Sequence, residues 1–470
     1  PRTQAPLIDQ ASLREIINGL PCNKSGGSDG VVAEVLKCMD PELLEILADC
    51  VHRRMCNEHD ARDSGIWSEV MVQLVPKIRG ACYPRQYRPI ALLPILYRLY
   101  SRILLHMTRD KLDQLVAPQF AFRKNHQAGE CIFLLAQLIE KHVEWDMPLC
   151  ICDGDIYKAY DETNHIRVCN ALIGKQVPQW AVGAWMRDIL ASRSTFRLDL
   201  ESQTRPVYRT KSLLQGDPAA PALFNAALDD AAASFTNHCD KKGLGIRISK
   251  DVNISIILFA DNYWIIAKQP THLQSMLNTW FKILKEYGWS SPVDELTWCS
   301  TVPDGRLASI SVGGQKIMRA QRADGFVALG VQLQFHGKQT LEIENRAQRL
   351  WKAFWAHKAT LRNKDVSFFK RLQFLDAIAK TILFWCSGSW NLTRVQMQMI
   401  RTAQQSMRRK VLQFKPQTIN GCLESKEEFC TRRDYAVRWY ENKYNLADWV
   451  KHSISNRFGR AGHVARLPDT

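Results

Sequence analysis

Two apolar runs separated by an acidic tip are the feature that most constrains this chain. Residues 254–260 are apolar and β-branched, Asp261 and Asn262 follow, and residues 263–267 supply a return strand. This spacing predicts two strands joined by a tight turn within a sheet. A carboxylate in such an apolar setting is expensive to bury without a partner, so Asp261 is a candidate site residue.

A second carboxylate ends another predicted strand. Residues 149–155 alternate in polarity and close on Asp155. Carboxylates brought together from separate strands repel each other unless a cation lies between them, and hard oxygen ligands suit Mg²⁺. Two such ions activate a hydroxyl nucleophile and stabilise a leaving phosphate. A turn or a cap is the commoner reason for Asp at the end of a strand, and spacing alone leaves both interpretations open.

The remaining pattern indicates the class of fold. Helical periodicity at residues 131–145 and again after Pro221, mixed with these strands, predicts an α+β sheet domain with helices on one face. Hydrophobic residues make up 46% of the chain and charged residues 23%, which excludes wholesale disorder. No apolar stretch approaches the roughly 20 residues of a membrane-spanning helix, so no membrane partner is expected.

The chain begins at Pro1 and shows no targeting signal, so we expect a piece of a longer protein that acts inside the cell. Its 14 cysteines are scattered without a Cys-x-x-Cys pair, which predicts free thiols in a reducing compartment.

Positive charge is concentrated in the last part of the chain. The whole sequence has 63 Lys and Arg against 47 Asp and Glu, and residues 341–470 alone have 24 against 11. Such a region attracts polyanions, with nucleic acid the usual partner. One predicted helix there has an inward stripe that includes Val395 and Met407. Another face of this helix carries a row of basic residues spaced seven apart: Arg394, Arg401, Arg408 and then Lys415. Such a row can bind phosphates along a duplex backbone, or it can be an ordinary solvent-exposed helix face, and both interpretations are open.

Several short segments, taken in order, resemble the motifs of reverse transcriptases. They are DIYKAYD at 155–161, LQGDP at 214–218, FADN at 259–262 and LG at 329–330. Upstream segments are similar to finger motifs of the non-LTR retrotransposon branch: LVPK at 74–77, YRPI at 87–90 and QFAFR at 119–123. The segment NKSGGSDG at 23–30 resembles the N-terminal extension motif of that branch.

The resemblance implies a right-hand polymerase of fingers, palm and thumb, in which an antiparallel palm sheet is backed by helices. It divides the chain into an N-terminal extension with fingers (1–147), a palm with an interleaved finger segment (148–340), a helical thumb (341–415) and a basic C-terminal region (416–470). The implied activity extends a DNA primer on an RNA template with deoxynucleoside triphosphates, with the nucleus as the site of action.

The resemblance also implies roles for individual residues. Asp155 and Asp261 would hold two Mg²⁺ ions, for which Mn²⁺ can substitute, with Asn262 beside them. Other positions match the substrate and nucleic-acid contacts of the family. Tyr160 corresponds to the gate against a ribose 2′-hydroxyl, and Lys77 and Arg88 correspond to the residues that clamp the triphosphate. Gln215 and Gly216 correspond to the surface under the nascent base pair, and Arg123 corresponds to a template contact. The basic row corresponds to the part of the thumb that grips the hybrid.

Three positions depart from the family pattern, and one of them is Ala121, where a glycine is expected. Asn262 stands where a second Asp is usual, and Glu295 stands where a Lys is expected to protonate pyrophosphate. Three interpretations are open: an active enzyme with a weakened metal site, helped by Asp153 on the same strand face; a decayed or repurposed nucleic-acid-binding module; and a deliberate change at Asn262 that traps a substrate complex. A maturase-like reverse transcriptase that aids intron splicing is a further alternative.

Overall fold

The computed structural model describes residues 4–24, 26–27, 30–57, 69–116, 118–197, 203–303, 309–337, 339–419 and 422–466. Ser25, Ser28 and Asp29 of the predicted N-terminal motif lie outside the described residues. Helices are α1 (Gln10–Asn18), α2 (Ala33–Lys37), α3 (Pro41–Met55), α4 (Ile95–Leu112), α5 (Ala128–Glu144), α6 (Ala159–Glu162), α7 (His165–Gly174), α8 (Gln179–Ala191), α9 (Ala220–Lys241), α10 (Pro270–Tyr287), α11 (Thr340–Ala356), α12 (Lys358–Leu361), α13 (Phe368–Ile382), α14 (Arg394–Leu412), α15 (Lys426–Lys443) and α16 (Trp449–Val464).

Strands are β1 (Glu69–Pro76), β2 (Tyr87–Leu92), β3 (Cys150–Asp155), β4 (Arg193–Arg197), β5 (Val207–Tyr208), β6 (Ile246–Arg247), β7 (Asn253–Ile254), β8 (Ile256–Phe259), β9 (Asn262–Ala267), β10 (Thr297–Ser300), β11 (Ser311–Val312), β12 (Gln315–Lys316), β13 (Met318–Arg319), β14 (Phe326–Ala328), β15 (Val331–Leu333), β16 (Thr418–Ile419) and β17 (Cys422–Leu423). Short 3-10 helices cover Pro84–Gln86, Val293–Glu295 and Ser387–Ser389. None of the described helices is both long and apolar enough to cross a lipid bilayer.

The chain divides into two compact units. Unit 1 comprises Pro1–His126, Cys152–Leu296 and Ile310–Ile317, and unit 2 comprises Gln127–Ile151, Thr297–Ser309 and Met318–Thr470. The division drawn from the sequence, at 147/148, 340/341 and 415/416, follows the parts of a polymerase hand and stays a prediction.

Unit 1 contains a four-stranded sheet in the order β2-β1-β4-β5. Strands β1 and β2 are antiparallel with Val72 opposite Ala91, whereas β1 and β4 run parallel. The apolar face of β1 supplies Val70 and Val72 to a small core that also includes Leu93 and Tyr97. The hairpin thereby leaves its opposite face free for polar side chains.

A second group of strands in unit 1 forms the predicted acidic hairpin. Strand β9 lies between β3 and β8, and β8 and β9 are antiparallel with Phe259 opposite Asn262. Strand β9 is almost entirely buried, and α10 packs against it. Tyr263 meets the Trp280 ring edge-on at a centroid distance of 5.6 Å, which fixes the helix on the strand. The two predicted strands and their tight connection are therefore present.

In unit 2, β10 lies between β13 and the first residues of β3. Strands β10 and β13 run parallel, with Thr297 opposite Met318. The prediction of an antiparallel palm sheet is corrected at this edge. The reason is the order of the strands, because β11 and β12 come between β10 and β13 in the chain and the two parallel strands are not neighbours in a hairpin.

Unit 2 also contains a helical core built from α11, α13, α14 and α16. Phe354, Leu375, Met407 and Trp449 are each at most 1% exposed within it. Because Trp449 opens α16, the predicted C-terminal region shares a core with the predicted thumb. The inward stripe of α14 is only partly as expected, since Val395 is 70% exposed.

Candidate active site

The structure brings Asp155 and Asp261 together in unit 1. Asp155 ends β3, and Asp261 lies in the turn between β8 and β9. The backbone N–H of Ile156 donates a hydrogen bond to the carbonyl oxygen of Asp261, with an N···O distance of 3.1 Å. This bond joins the residue after one carboxylate to the residue that bears the other, so the two side chains emerge side by side.

The turn differs by one residue from the sequence-based expectation. Phe259 pairs with Asn262, so Ala260 and Asp261 form the turn and Asn262 begins β9. Ala260 adopts a φ of +54°, in the left-handed region that residues with a Cβ rarely occupy. This conformation at a non-glycine residue gives no signal in the sequence, which explains the displaced prediction.

Small and hydroxyl residues behind the acids set the local geometry. A Cβ added to Gly154 would lie 2.4 Å from the Tyr263 ring, so only glycine fits between Asp155 and Asp153. The Ser291 hydroxyl donates to the carbonyl of Asp155 at 2.7 Å and contacts the Tyr263 hydroxyl at 2.7 Å. Since Ser291 has one proton, Tyr263 is the donor in the second bond. Sequence reasoning missed Ser291, whose position in the loop 288–295 carries no distinctive signal.

Burial and crowding disfavour negative charge at the acids. Burial, then the nearby Asp261 and Glu295, raise the pKa of Asp155 to about 6. Burial raises the pKa of Asp261 as well. Burial and the Asp155 charge raise the pKa of Asp153 to about 7. Four acids thus share this end of the sheet, and Glu295 adds to the repulsion instead of supplying the expected positive charge.

Among the described residues, no group of three or more His, Cys, Asp or Glu side chains is arranged to hold a metal ion. The arrangement at Asp155 and Asp261 provides two carboxylates, with the amide of Asn262 next in the chain. Mg²⁺ commonly takes one or two protein carboxylates and completes its shell with water and substrate phosphate oxygens. The donor set therefore fits a hard divalent cation that relieves the repulsion between the carboxylates.

Tyr160 lies beside these acids. Its ring stacks on Phe224 at a centroid distance of 5.1 Å, and its carbonyl accepts the Leu213 N–H at 2.8 Å. Burial and the proximity of Asp261 raise the pKa of its hydroxyl. The half-buried ring is therefore held rigidly next to the acid pair, as a gate would need to be.

Gln215 and Gly216 are placed by the backbone of β2. The Gln215 carbonyl accepts the Ala91 N–H at 2.7 Å. Gly216 has a φ of +123°, and a Cβ there would lie 2.6 Å from the Ala91 carbonyl oxygen. Both the backbone conformation and the space at this position thus require glycine.

Lys77 and Arg88 lie on the β1–β2 hairpin, and both are exposed. Arg88 is opposite Val75, and Lys77 directly follows β1, where its backbone N–H donates to the Gln86 carbonyl at 2.8 Å. Burial raises the pKa of Asp161, and the positive charges of Lys158 and Lys77 partly offset this rise. The hairpin therefore directs a cation toward the segment that contains Asp155.

The residues predicted to contact nucleic acid differ in how exposed they are. In unit 1, the half-buried Arg123 donates to the carbonyls of Gln119 and Asp113 at 3.1 and 3.4 Å. In unit 2, Arg394, Arg401 and Lys415 are exposed, as the predicted row requires.

Arg408 does not belong to that row. It is 3% exposed, donates to Glu441 at 2.6 Å and to the Ala447 carbonyl at 2.7 Å, and lies 3.5 Å from Asp376. The prediction that Arg408 contacts a phosphate is corrected, because its guanidinium is already enclosed by two carboxylates.

Comparison with known proteins identifies relatives. A family model described as reverse transcriptase (RNA-dependent DNA polymerase) matches residues 75–332. The chain is 27% identical over 213 residues to the retrovirus-related Pol polyprotein from type-1 retrotransposable element R2 of Popillia japonica, covering 45% of this chain and 29% of that relative. It is 26% identical over 282 residues to the corresponding polyprotein of Nasonia vitripennis, covering 57% and 26%. The matches thus span less than a third of these relatives.

A solved structure is also similar. Telomerase from Candida albicans in complex with a TWJ fragment of telomeric RNA has a TM-score of 0.45 and 10% identity, covering 85% of this chain and 70% of the other.

The retroelement relatives confirm the identification with the non-LTR branch that the motifs predicted. The matched family region contains Asp155 and Asp261, whose side chains the fold brings together. Members of this family use divalent metal ions. Because that region covers more than half of the sequence, this chain belongs to the reverse transcriptase family of RNA-dependent DNA polymerases.

Proposed function

We propose that this chain extends the 3′ end of a DNA primer on an RNA template, using deoxynucleoside triphosphates. The observation that carries the proposal is the pairing of Asp155 and Asp261 across the Ile156–Asp261 hydrogen bond of 3.1 Å. Two carboxylates in register at one end of a sheet, partly shielded from water, are suited to a reaction at phosphate. The site of action that we propose is the nucleus.

The carboxylates of Asp155 and Asp261 would hold two Mg²⁺ ions, or Mn²⁺ in their place. When bound, such ions lower the pKa of the primer hydroxyl and offset charge on the triphosphate. The fit rests on the burial and the repulsion by neighbouring acids that raise the pKa of Asp155, since a bound cation offsets the cost of the charged carboxylate. Asn262 can add an amide oxygen but no charge, so we expect one of the two sites to be weak.

Residues of the chain itself orient the incoming nucleotide. The exposed cations Lys77 and Arg88 are suited to bind the triphosphate, since both lie near the turn of the β1–β2 hairpin. Tyr160, fixed by stacking on Phe224, would exclude a ribose 2′-hydroxyl. Gln215 and Gly216 would support the new base pair, because the missing Cβ leaves the backbone open at that point.

The nucleic-acid partner that we propose is a hybrid of the RNA template and the growing DNA. Arg394, Arg401 and Lys415 remain exposed after α14 packs, and neutralising phosphates is the common role of such a row. Arg123 is proposed as a template contact. Its two hydrogen bonds to backbone carbonyls leave part of the guanidinium free for a phosphate oxygen.

A nucleic-acid-binding module without polymerase activity is the second candidate. Two observations favour it: Asn262 lacks the charge of the usual second Asp, and Glu295 increases the repulsion at Asp155. Such a module would retain the exposed basic residues that bind nucleic acid but would not extend a primer.

Primer extension separates the two candidates. A labelled DNA primer annealed to RNA is incubated with deoxynucleotides in Mg²⁺ or Mn²⁺, using the unaltered chain, Asp155→Ala, and Asp251→Ala as an exposed control in the same unit. We expect extension by the unaltered chain and the control, and none by Asp155→Ala, with equal hybrid binding in fluorescence anisotropy. Tight binding by all three without extension would instead establish the module.

A further inference from the structure

The turn that bears Asp261 depends on a conformation that alanine does not favour. Ala260, directly before Asp261, has a φ of +54°. A Cβ makes the left-handed region unfavourable, and the conformation persists only where surrounding groups enforce it. Surrounding groups in unit 1 must therefore hold Ala260 in this conformation. A change in the backbone of Ala260 would redirect the side chain of Asp261, which follows it.

The side-chain amide of Gln119 contacts both backbone groups of Ala260. Its Oε1 accepts the Ala260 N–H at 3.0 Å, and its Nε2 donates to the Ala260 carbonyl at 3.2 Å. The same Oε1 accepts the Ala121 N–H at 3.0 Å. Gln119 is 1% exposed, so water does not compete for these bonds. One amide thus satisfies the donor and the acceptor of the left-handed residue.

The backbone around Gln119 is itself fixed to β8. Leu258 donates to the Pro118 carbonyl at 3.0 Å and accepts the Phe120 N–H at 3.2 Å. On the far side, Asn225 donates its amide to the Ala121 carbonyl at 2.9 Å. The segment that contains Gln119 therefore runs beside β8 as a rigid support, and the amide cannot follow the turn if the turn relaxes.

We infer that Gln119 is a positioning residue for catalysis: it locks Ala260 in the left-handed conformation and so sets the Asp261 carboxylate against Asp155. Gln119 does not reach the reacting atoms. Its effect passes through one backbone residue to the acid pair and thereby to divalent-ion binding. The inference rests on the proposed function for its effect on the rate, whereas its effect on ion binding can be measured without any reaction.

The test replaces Gln119 with methionine, which has similar length and makes none of the three bonds. Unit 1 offers a matched control in Gln274, whose amide likewise accepts the Ser311 N–H, at 2.9 Å, and donates to the Ser311 carbonyl. We expect Gln119→Met to lower kcat for primer extension at least tenfold and to raise the Mg²⁺ concentration for half-maximal rate at least fivefold. The KM for deoxynucleotide should change less than twofold, and Gln274→Met should change none of these values.

A rescue separates positioning from general destabilisation. Glycine adopts the left-handed conformation without the Cβ penalty. Ala260→Gly in the Gln119→Met background should therefore recover at least half of the lost kcat, although no hydrogen bond returns. Unaltered kcat in Gln119→Met, an equal loss in Gln274→Met, or no recovery with Ala260→Gly would each overturn the inference.

Mn²⁺ binding, followed by electron paramagnetic resonance, gives a readout without turnover. Binding that is lost in Asp155→Asn defines the site, and we expect Gln119→Met to weaken it at least fivefold while Gln274→Met leaves it unchanged. If the unaltered chain binds Mn²⁺ but extends no primer, the proposed function fails and this titration still decides the role of Gln119. Equal Mn²⁺ binding by Gln119→Met and the unaltered chain, or no site lost in Asp155→Asn, would refute it.

Discussion

Replacing the central acid should make the ion-free protein more stable. The pKa of Asp155 rises from its usual 3.8 to about 6 because burial and two neighbouring acids disfavour the carboxylate. Asp155→Asn keeps the shape of the side chain and removes the charge. The gain in folding free energy reflects the difference in proton affinity between the folded and unfolded chains.

The sign and size of this gain follow from the two pKa values. Above pH 6 the folded chain carries the disfavoured carboxylate, and the rise to about 6 corresponds to about 3 kcal/mol. Partial access to water reduces this to roughly 1–2 kcal/mol. Below pH 3.8 the group is protonated in both states and the effect vanishes. The variant should therefore be more stable than the unaltered chain at pH 8 and equal to it near pH 4.

Urea denaturation in EDTA, followed by tryptophan fluorescence between pH 4 and pH 8, measures this difference, with Asp251→Asn as the exposed control. Adding Mg²⁺ should stabilise the unaltered chain but not Asp155→Asn, since a ligand of the folded state alone raises stability. The reasoning is wrong if Asp155→Asn is no more stable at pH 8, or if its advantage grows as the pH falls.

Four further predictions concern activity, nucleic-acid binding and stability. Asn262→Asp should raise the rate of primer extension at least tenfold, which corresponds to an activation free energy lower by about 1.4 kcal/mol. Equal rates for both forms in saturating Mg²⁺ would show that this position does not limit the reaction. Arg408→Met should lower the free energy of unfolding by about 1–3 kcal/mol in urea denaturation, because it removes the cation from two partly buried carboxylates. Arg401→Ala should leave stability unchanged and reduce the slope of log binding constant against log salt by about 0.7–0.9, as measured by anisotropy. Tyr160→Ala should lower the preference for deoxynucleotides over ribonucleotides at least tenfold in kcat/KM; an unchanged ratio would remove Tyr160 as the gate.

The acidic hairpin was predictable because its signals are local. Apolar runs on either side of Asp261 set the strands, and strand alternation set which residues face the core. The exact turn was not predictable, since φ at Ala260 depends on Gln119, 141 residues away in the sequence. A non-local hydrogen bond overrode the preference of a single residue.

The basic row shows the opposite limit. Seven-residue spacing correctly placed Arg394 and Arg401 on an exposed face of α14. The spacing failed at Arg408, because the buried side of this helix includes polar residues. Gln404 and Arg408 both lie there and donate hydrogen bonds to the Ala447 carbonyl. Periodicity indicates which positions share a face of a helix. Whether that face is buried depends on other segments that pack against it, and the sequence of the helix does not contain them.

The buried guanidinium of Arg408 has a consequence for how far this chain can be shortened. Its main carboxylate partner lies in α15 and a second contact comes from the loop before α16, so both follow the predicted end of the thumb. Cutting the chain at residue 415 would remove two groups to which Arg408 donates and strip Trp449 from the helices that it covers. A shortened chain should therefore extend past residue 450.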